Sequence, residues 1–123
     1  MPGRLVLAAV LVPFLAFGFA ASGEDPARIE AELDGDTLLM RGIFEAADPP
    51  SAELSYTLDV RKRGASGTSS TRQGGVFTPA ADRADTLSTV RLGVQPGDTV
   101  EARLEVIGPA GLVAGADFRD TIR

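Results

Sequence analysis

Apolar residues in this chain recur at every second position in short runs, and turn residues separate the runs. Ile29, Ala31 and Leu33 alternate with Glu30 and Glu32, which describes a strand with one wet face. Asp34-Gly35-Asp36 follows as a hairpin turn, because Asp-Gly supplies the positive backbone angles a tight hairpin needs. Thr37 to Phe44 is apolar on both faces except for Arg41, the pattern of a central strand, and Gly42 marks a bulge or a close approach. Ala46 to Pro50 ends that strand.

The next strand places Leu54, Tyr56, Leu58 and Val60 on one face and Ser55, Thr57, Asp59 and Arg61 on the other. It runs into Arg61-Lys62-Arg63, a turn around Gly64 and Ser66-Gly67, and a polar arm from Thr68 to Gln73 that closes on Gly74-Gly75-Val76-Phe77. The polar arm is β-branched enough to be a strand, yet it offers almost nothing to a core. Thr78 to Asp85 reads as a loop and Thr86 to Val94 as a strand with Val90, Leu92 and Val94 on one face. Gln95-Pro96-Gly97-Asp98 fits a type II turn. Thr99 to Val106 sends Val100, Ala102, Leu104 and Val106 inward and Glu101, Arg103 and Glu105 outward. After a turn at Gly108 to Gly111, the pattern predicts that Leu112, Ala114, Ala116 and Phe118 point inward from a seventh strand. Seven short strands with no 3.6-residue period predict an all-β protein, a seven-stranded immunoglobulin-like antiparallel β-sandwich.

Ahead of the strands lies a different kind of segment. Arg4 precedes an almost unbroken apolar run from Leu5 to Phe19, and Gly18-Phe19-Ala20 offers small residues where a signal peptidase reads. The run falls short of the roughly 20 apolar residues that span a bilayer, and Pro13 interrupts it. Residues 1–20 are therefore expected to be a signal peptide cut after Ala20 or Ala21, leaving an exported domain of residues 21–123 that is free of the membrane.

The chain carries 12 Lys and Arg against 17 Asp and Glu; loss of Arg4 with the leader would move the net charge from −5 to −6. Such a balance argues against general nucleic-acid binding, which needs clustered Lys and Arg. The sequence contains no Cys, His or Trp. Disulfides and thiol chemistry are thus excluded, and no imidazole is present to act as a base near neutral pH. Asp34 and Asp36 lack the further oxygens and later Glu of a calcium loop, and the Glu30/Glu32 and Glu101/Glu105 pairs look like solvated strand faces. No catalytic residue, cofactor site or metal site is expected, and the protein is read as no enzyme.

Between Asp59 and Asp82 there is no acidic residue. Arg61, Lys62, Arg63 and Arg72 would give this hairpin a local positive field on a negative protein, able to steer an acidic partner. The same charges could instead simply keep an edge strand from pairing with its neighbours.

The stretch Gly64-Ala65-Ser66-Gly67-Thr68-Ser69-Ser70-Thr71-Arg72-Gln73, preceded by a basic residue, closely resembles the G-S-S-G-x-S-x-T-K-Q run of the CsgC family of periplasmic curli assembly proteins. The doubled Gly74-Gly75 followed by an apolar and an aromatic residue is closer to the related CsgH chaperones. The likeness is strongest from Tyr56 to Val106. It implies a small immunoglobulin-like sandwich, expected to be monomeric, that keeps curlin-type amyloid subunits from assembling in the periplasm. On physical grounds Arg61, Lys62, Arg63 and Arg72 are expected to attract such a client by charge and Thr68, Ser70 and Gln73 to hydrogen-bond it, with Ser66 beside them in the expected contact set. The Cys-x-Cys pair of CsgC is absent, and Leu54, Ser55 and Tyr56 stand in the matching strand. A redox role is therefore not carried over. The competing expectation is a periplasmic structural or adhesion module that binds a folded partner.

Overall fold

The computed structural model describes residues 25–123 and the backbone of Arg4–Val6; the rest of the expected signal peptide lies outside the described residues. In chain order the strands are β1 (Arg4–Val6), β2 (Ala27–Asp34), β3 (Thr37–Ala46), β4 (Leu54–Gly64), β5 (Gly67–Phe77), β6 (Arg83–Gly93), β7 (Thr99–Gly108) and β8 (Gly111–Thr121). Strands β2 to β8 are the seven that the alternation predicts. They form two antiparallel sheets, ordered β1-β2-β3-β6 and β5-β4-β7-β8. The chain makes three hairpins and crosses between sheets after β3, β5 and β6. The result is a β-sandwich.

Period-two alternation builds the core. Ile29 and Ala31 from β2, Leu38, Met40 and Phe44 from β3 and Val90 from β6 line one inner face. Leu54, Leu58, Val60, Val100, Ala102, Leu104, Val106, Ala114 and Phe118 line the other. Burying Val- and Leu-sized side chains stabilises by about 1.5–3 kcal/mol each, which sets the strand registers against slippage. The β3–β6 register shifts between Gly42 and Ile43, but the extra residue is Leu87 on β6. Gly42 itself marks the close approach, because a Cβ there would stand 3.2 Å from the Leu104 side chain.

The turns carry their sequence signatures. Gly35 alone takes a positive φ of 65° in the two-residue β2–β3 loop, so the glycine in first central position, rather than an Asp-Gly pair, sets that hairpin. Gly97 has a φ of 96° behind Pro96, and the Asp98 amide donates to the Gln95 carbonyl at 3.0 Å, as a type II turn requires.

Two sequence expectations need correction. The predicted loop over Thr78–Asp85 is shorter, because β6 already begins at Arg83. More consequentially, Leu112 does not point inward. The β7–β8 register shifts between Val106 and Ile107, pairing Val106 with Ala114 and Ile107 with Leu112, with Val113 as the extra residue. A one-residue bulge exchanges faces, and Leu112 stands 68% exposed.

Candidate functional site

β5 is an edge strand with eleven residues, and its ladder to β4 is continuous from Leu54–Phe77 to Gly64–Gly67. Backbone pairing, rather than burial, holds it. Its apolar anchor is Phe77, whose ring meets Phe44 edge-on at 5.4 Å and Tyr56 at 6.3 Å. The doubled glycine has a local reason: a side chain at Gly75 would begin 3.2 Å from the Tyr56 ring, which lies over it.

Cross-strand partners in an antiparallel sheet share a face, so the register sorts the expected client-binding residues into two groups. Leu58 and Val60 are buried, and Gln73 and Thr71 opposite them turn inward with them. Gln73 accepts a hydrogen bond from the hydroxyl of buried Ser88 and so ties β5 to the other sheet. Lys62 also turns inward, opposite Val100. Its Nζ donates to the Gly93 carbonyl at 2.9 Å and stands 3.9 Å from Asp98 Oδ2. Asp98 is only 2% exposed and accepts from the Gln95 amide at 2.9 Å. It also packs against Gly64, where a Cβ would stand 2.8 Å from the Asp98 Cγ and nearer still to Oδ1. Lys62, Gly64 and Asp98 thus form one structural knot that fastens the β4–β5 turn to the β6–β7 turn.

Arg61, Arg63, Thr68, Ser70 and Arg72 are exposed and share the outer face, while Ser66 sits exposed in the β4–β5 loop. The structure therefore brings five of the eight expected residues together, adds Ser66 at the rim, and separates Lys62 and Gln73 from them.

The register also recruits Glu101 and Arg103 of β7, on a face that alternation reads as merely solvated, and Asp117 and Arg119 of β8, to which alternation assigns no role. One row across the sheet reads Arg72, Asp59, Arg103, Asp117, and the next reads Ser70, Arg61, Glu101, Arg119. Ion pairs link them: Arg72 to Asp59 at 3.1 Å, Arg103 to Asp117 at 2.9 Å, Arg119 to Glu101 at 3.1 Å and Arg63 to Glu101 at 3.6 Å. The hydrogen bond to Asp117 holds the Arg103 guanidinium above its ordinary pKa. Arg61 lies across from Ser70 on one side and Glu101 on the other, and Glu101 is already engaged by two arginines. On this face Arg61 alone of the arginines makes no ion pair among the described residues. Five arginines here face four carboxylates (Asp59, Glu101, Glu105 and Asp117), a surplus of one positive charge on a chain whose net charge is −5. These rows line a shallow hollow of ≈ 660 Å³. Among the described residues no group of three acidic side chains is placed to hold a metal ion.

The profile of the CsgH protein family matches residues 27–116, which include β2 to β7 and half of β8. The chain belongs to the CsgH family. The solution structure of CsgH from R. palustris is similar to it with a TM-score of 0.61 and 29% sequence identity, over 75% of this chain and 88% of that one. The E. coli curli protein CsgC is similar in fold, with a TM-score of 0.58 over 76% of this chain and 96% of that one, at 16% identity. No curated protein matches the chain. Membership agrees with the resemblance carried by the Gly64–Gln73 run.

Proposed function

We propose that this CsgH-family protein is a periplasmic, non-catalytic chaperone that holds back amyloid assembly by curlin-type subunits. The observation that carries the reading is the outer face of the β5-β4-β7-β8 sheet, where Arg61 presents an uncompensated charge beside a polar edge strand. Family membership and the fold shared with a curli protein support the choice of client.

Amyloid subunits elongate by adding strands to an open edge and packing dry apolar or amide zippers beside it. A partner that stops this growth must attract the subunit and offer backbone, but must not supply a matching zipper. β5 meets the last two conditions. Among the described residues its outward edge is unpaired, and Thr68, Ser70 and Arg72 present hydroxyls and charge instead of apolar surface. Arg61 and the neighbouring arginines attract acidic segments of the client from a distance, raising the rate of encounter more than the lifetime of the complex.

The test is fibril formation by a purified curlin-type subunit, followed by thioflavin fluorescence, with the mature protein well below equimolar. The lag phase should lengthen severalfold, and an Arg61→Glu, Arg63→Glu, Arg72→Glu variant that keeps its fold should lose most of that delay. A folded wild-type protein without effect at any ratio would sink the chaperone reading. Full inhibition by the triple variant would remove the charged face from the mechanism.

A further inference from the structure

The outer face ends, on the side away from the β4–β5 turn, in a row of a different character. Val76, Ser55, Ile107 and Leu112 stand opposite one another across β5, β4, β7 and β8. Val76, Ile107, Leu112 and Val113 are the exposed large apolar side chains among the described residues. The first three stand in this row, while Val113, the bulge residue, turns toward Gly108 and Leu54. Leu112 and Val76 are 68% and 65% exposed. Val76 faces Ile107 across Ser55, two strand spacings or about 10 Å away.

Local architecture produces this row. Regular alternation would have buried Leu112; the bulge at Val113 turns it out. In the row between, Gly74 and Gly115 occupy both edge strands, so only Thr57 and Glu105 project beyond the backbone there. An apolar end, a low middle and the charged rows thus succeed one another along β4.

We infer that this row receives an apolar side chain from the same extended segment whose carboxylate meets Arg61. The inference rests on the chaperone reading above and adds the chemistry of the segment recognised. Ser55, in the apolar row, and Arg61 are six residues apart on β4, about 20 Å along a strand. An extended ligand running alongside covers that span in six residues, and an even spacing puts both of its side chains on one face. The surface therefore selects an extended polypeptide with an acidic residue and a large apolar residue about six positions apart. Charge complementarity fixes the acidic end, because Arg61 is the unpaired guanidinium of the face.

Three capped peptides in a Ser/Thr background test this by titration into isotope-labelled mature protein, read by backbone amide shifts. One carries aspartate and phenylalanine six residues apart, one carries them adjacent, and one has serine in place of the phenylalanine. The first should move the amides around Arg61 and around Ile107 and Leu112 together, and bind at least about fivefold tighter than the other two, given the apolar area available. A Val76→Thr, Leu112→Thr variant, which places strand-compatible β-branched residues at both exposed positions, should bind all three peptides alike. Equal affinity of the wild-type protein for all three peptides overturns the inference. So does a wild-type dimer in sedimentation that the double variant dissolves, because the row would then be covered by a second copy. The fibril assay separates the two levels. A wild-type protein that delays fibrils no better than the double variant overturns this inference alone, whereas one that causes no delay overturns the chaperone reading as well.

Discussion

Arg61 and Lys62 are neighbours in sequence with opposite roles, and Lys62→Met isolates the difference. The substitution keeps an unbranched apolar stem out to the ε position but removes the ammonium. It deletes the 2.9 Å hydrogen bond to the Gly93 carbonyl and leaves Asp98 without its cation at 3.9 Å. A hydrogen bond from a charged donor contributes about 1.5–3 kcal/mol, and removing one partner of a buried ion pair costs more than an exposed pair would. The Lys62 side chain is 17% exposed and the Asp98 side chain 3%, so water can restore little of the loss. The two terms share one nitrogen and do not add, which gives about 2–3 kcal/mol. For a domain of this size that lowers Tm by about 10–20 °C. Thermal unfolding by circular dichroism reads the change, and the fibril assay, run well below the new Tm, reads the function. Lys62→Met should lose much of its stability yet retain the lag-phase delay, and Arg61→Glu should do the reverse. A Lys62→Met protein that melts within about 3 °C of wild type but no longer delays fibrils would refute this division of roles, making Lys62 a client contact and the knot with Asp98 incidental.

Gly64→Ala should destabilise by at least about 2 kcal/mol, because the new Cβ would overlap the Asp98 carboxylate, which is held in place by the Gln95 amide. The denaturation midpoint in urea measures it. Inhibition of fibril growth should weaken severalfold between about 50 and 300 mM salt, since exposed charges more than a Debye length apart are screened, while Tm changes little. Thioflavin kinetics and melting curves at matched ionic strengths check this pair of outcomes.

Strand-by-strand reading recovers most of the sandwich because each sheet buries one face, and burial imposes period two. Val100, Ala102, Leu104 and Val106 announce β7 without help from any other strand. The Pro96-Gly97 turn and the Gly35 hairpin are equally local. What alternation conceals is anything decided between strands. Lys62 reads as one of three consecutive basic residues, yet the same rule that buries Val60 sends Lys62 to the inner side and Arg61 and Arg63 to the outer. That signal was present in the sequence and was outweighed by the cluster of charge. The placement of Gln73 follows from the same rule once its partner Leu58 is known. The rows that join Arg72 to Asp117 depend on three registers at once, which no single strand encodes. Leu112 was misplaced because a bulge costs one residue of phase and leaves no compositional mark beyond the nearby glycines.

The ion pairs across the outer sheet face bear on how long any partner stays. Each carboxylate a ligand brings to Arg63, Arg72 or Arg119 must displace one that is already there, Glu101 or Asp59. The gain is the difference between two similar contacts, and on release the internal partner closes the vacancy within the reach of its own side chain. A surface organised this way works as an exchange surface rather than a trap. On the proposed chaperone function, it would shorten residence time without slowing encounter, so that one molecule would visit many chains in succession.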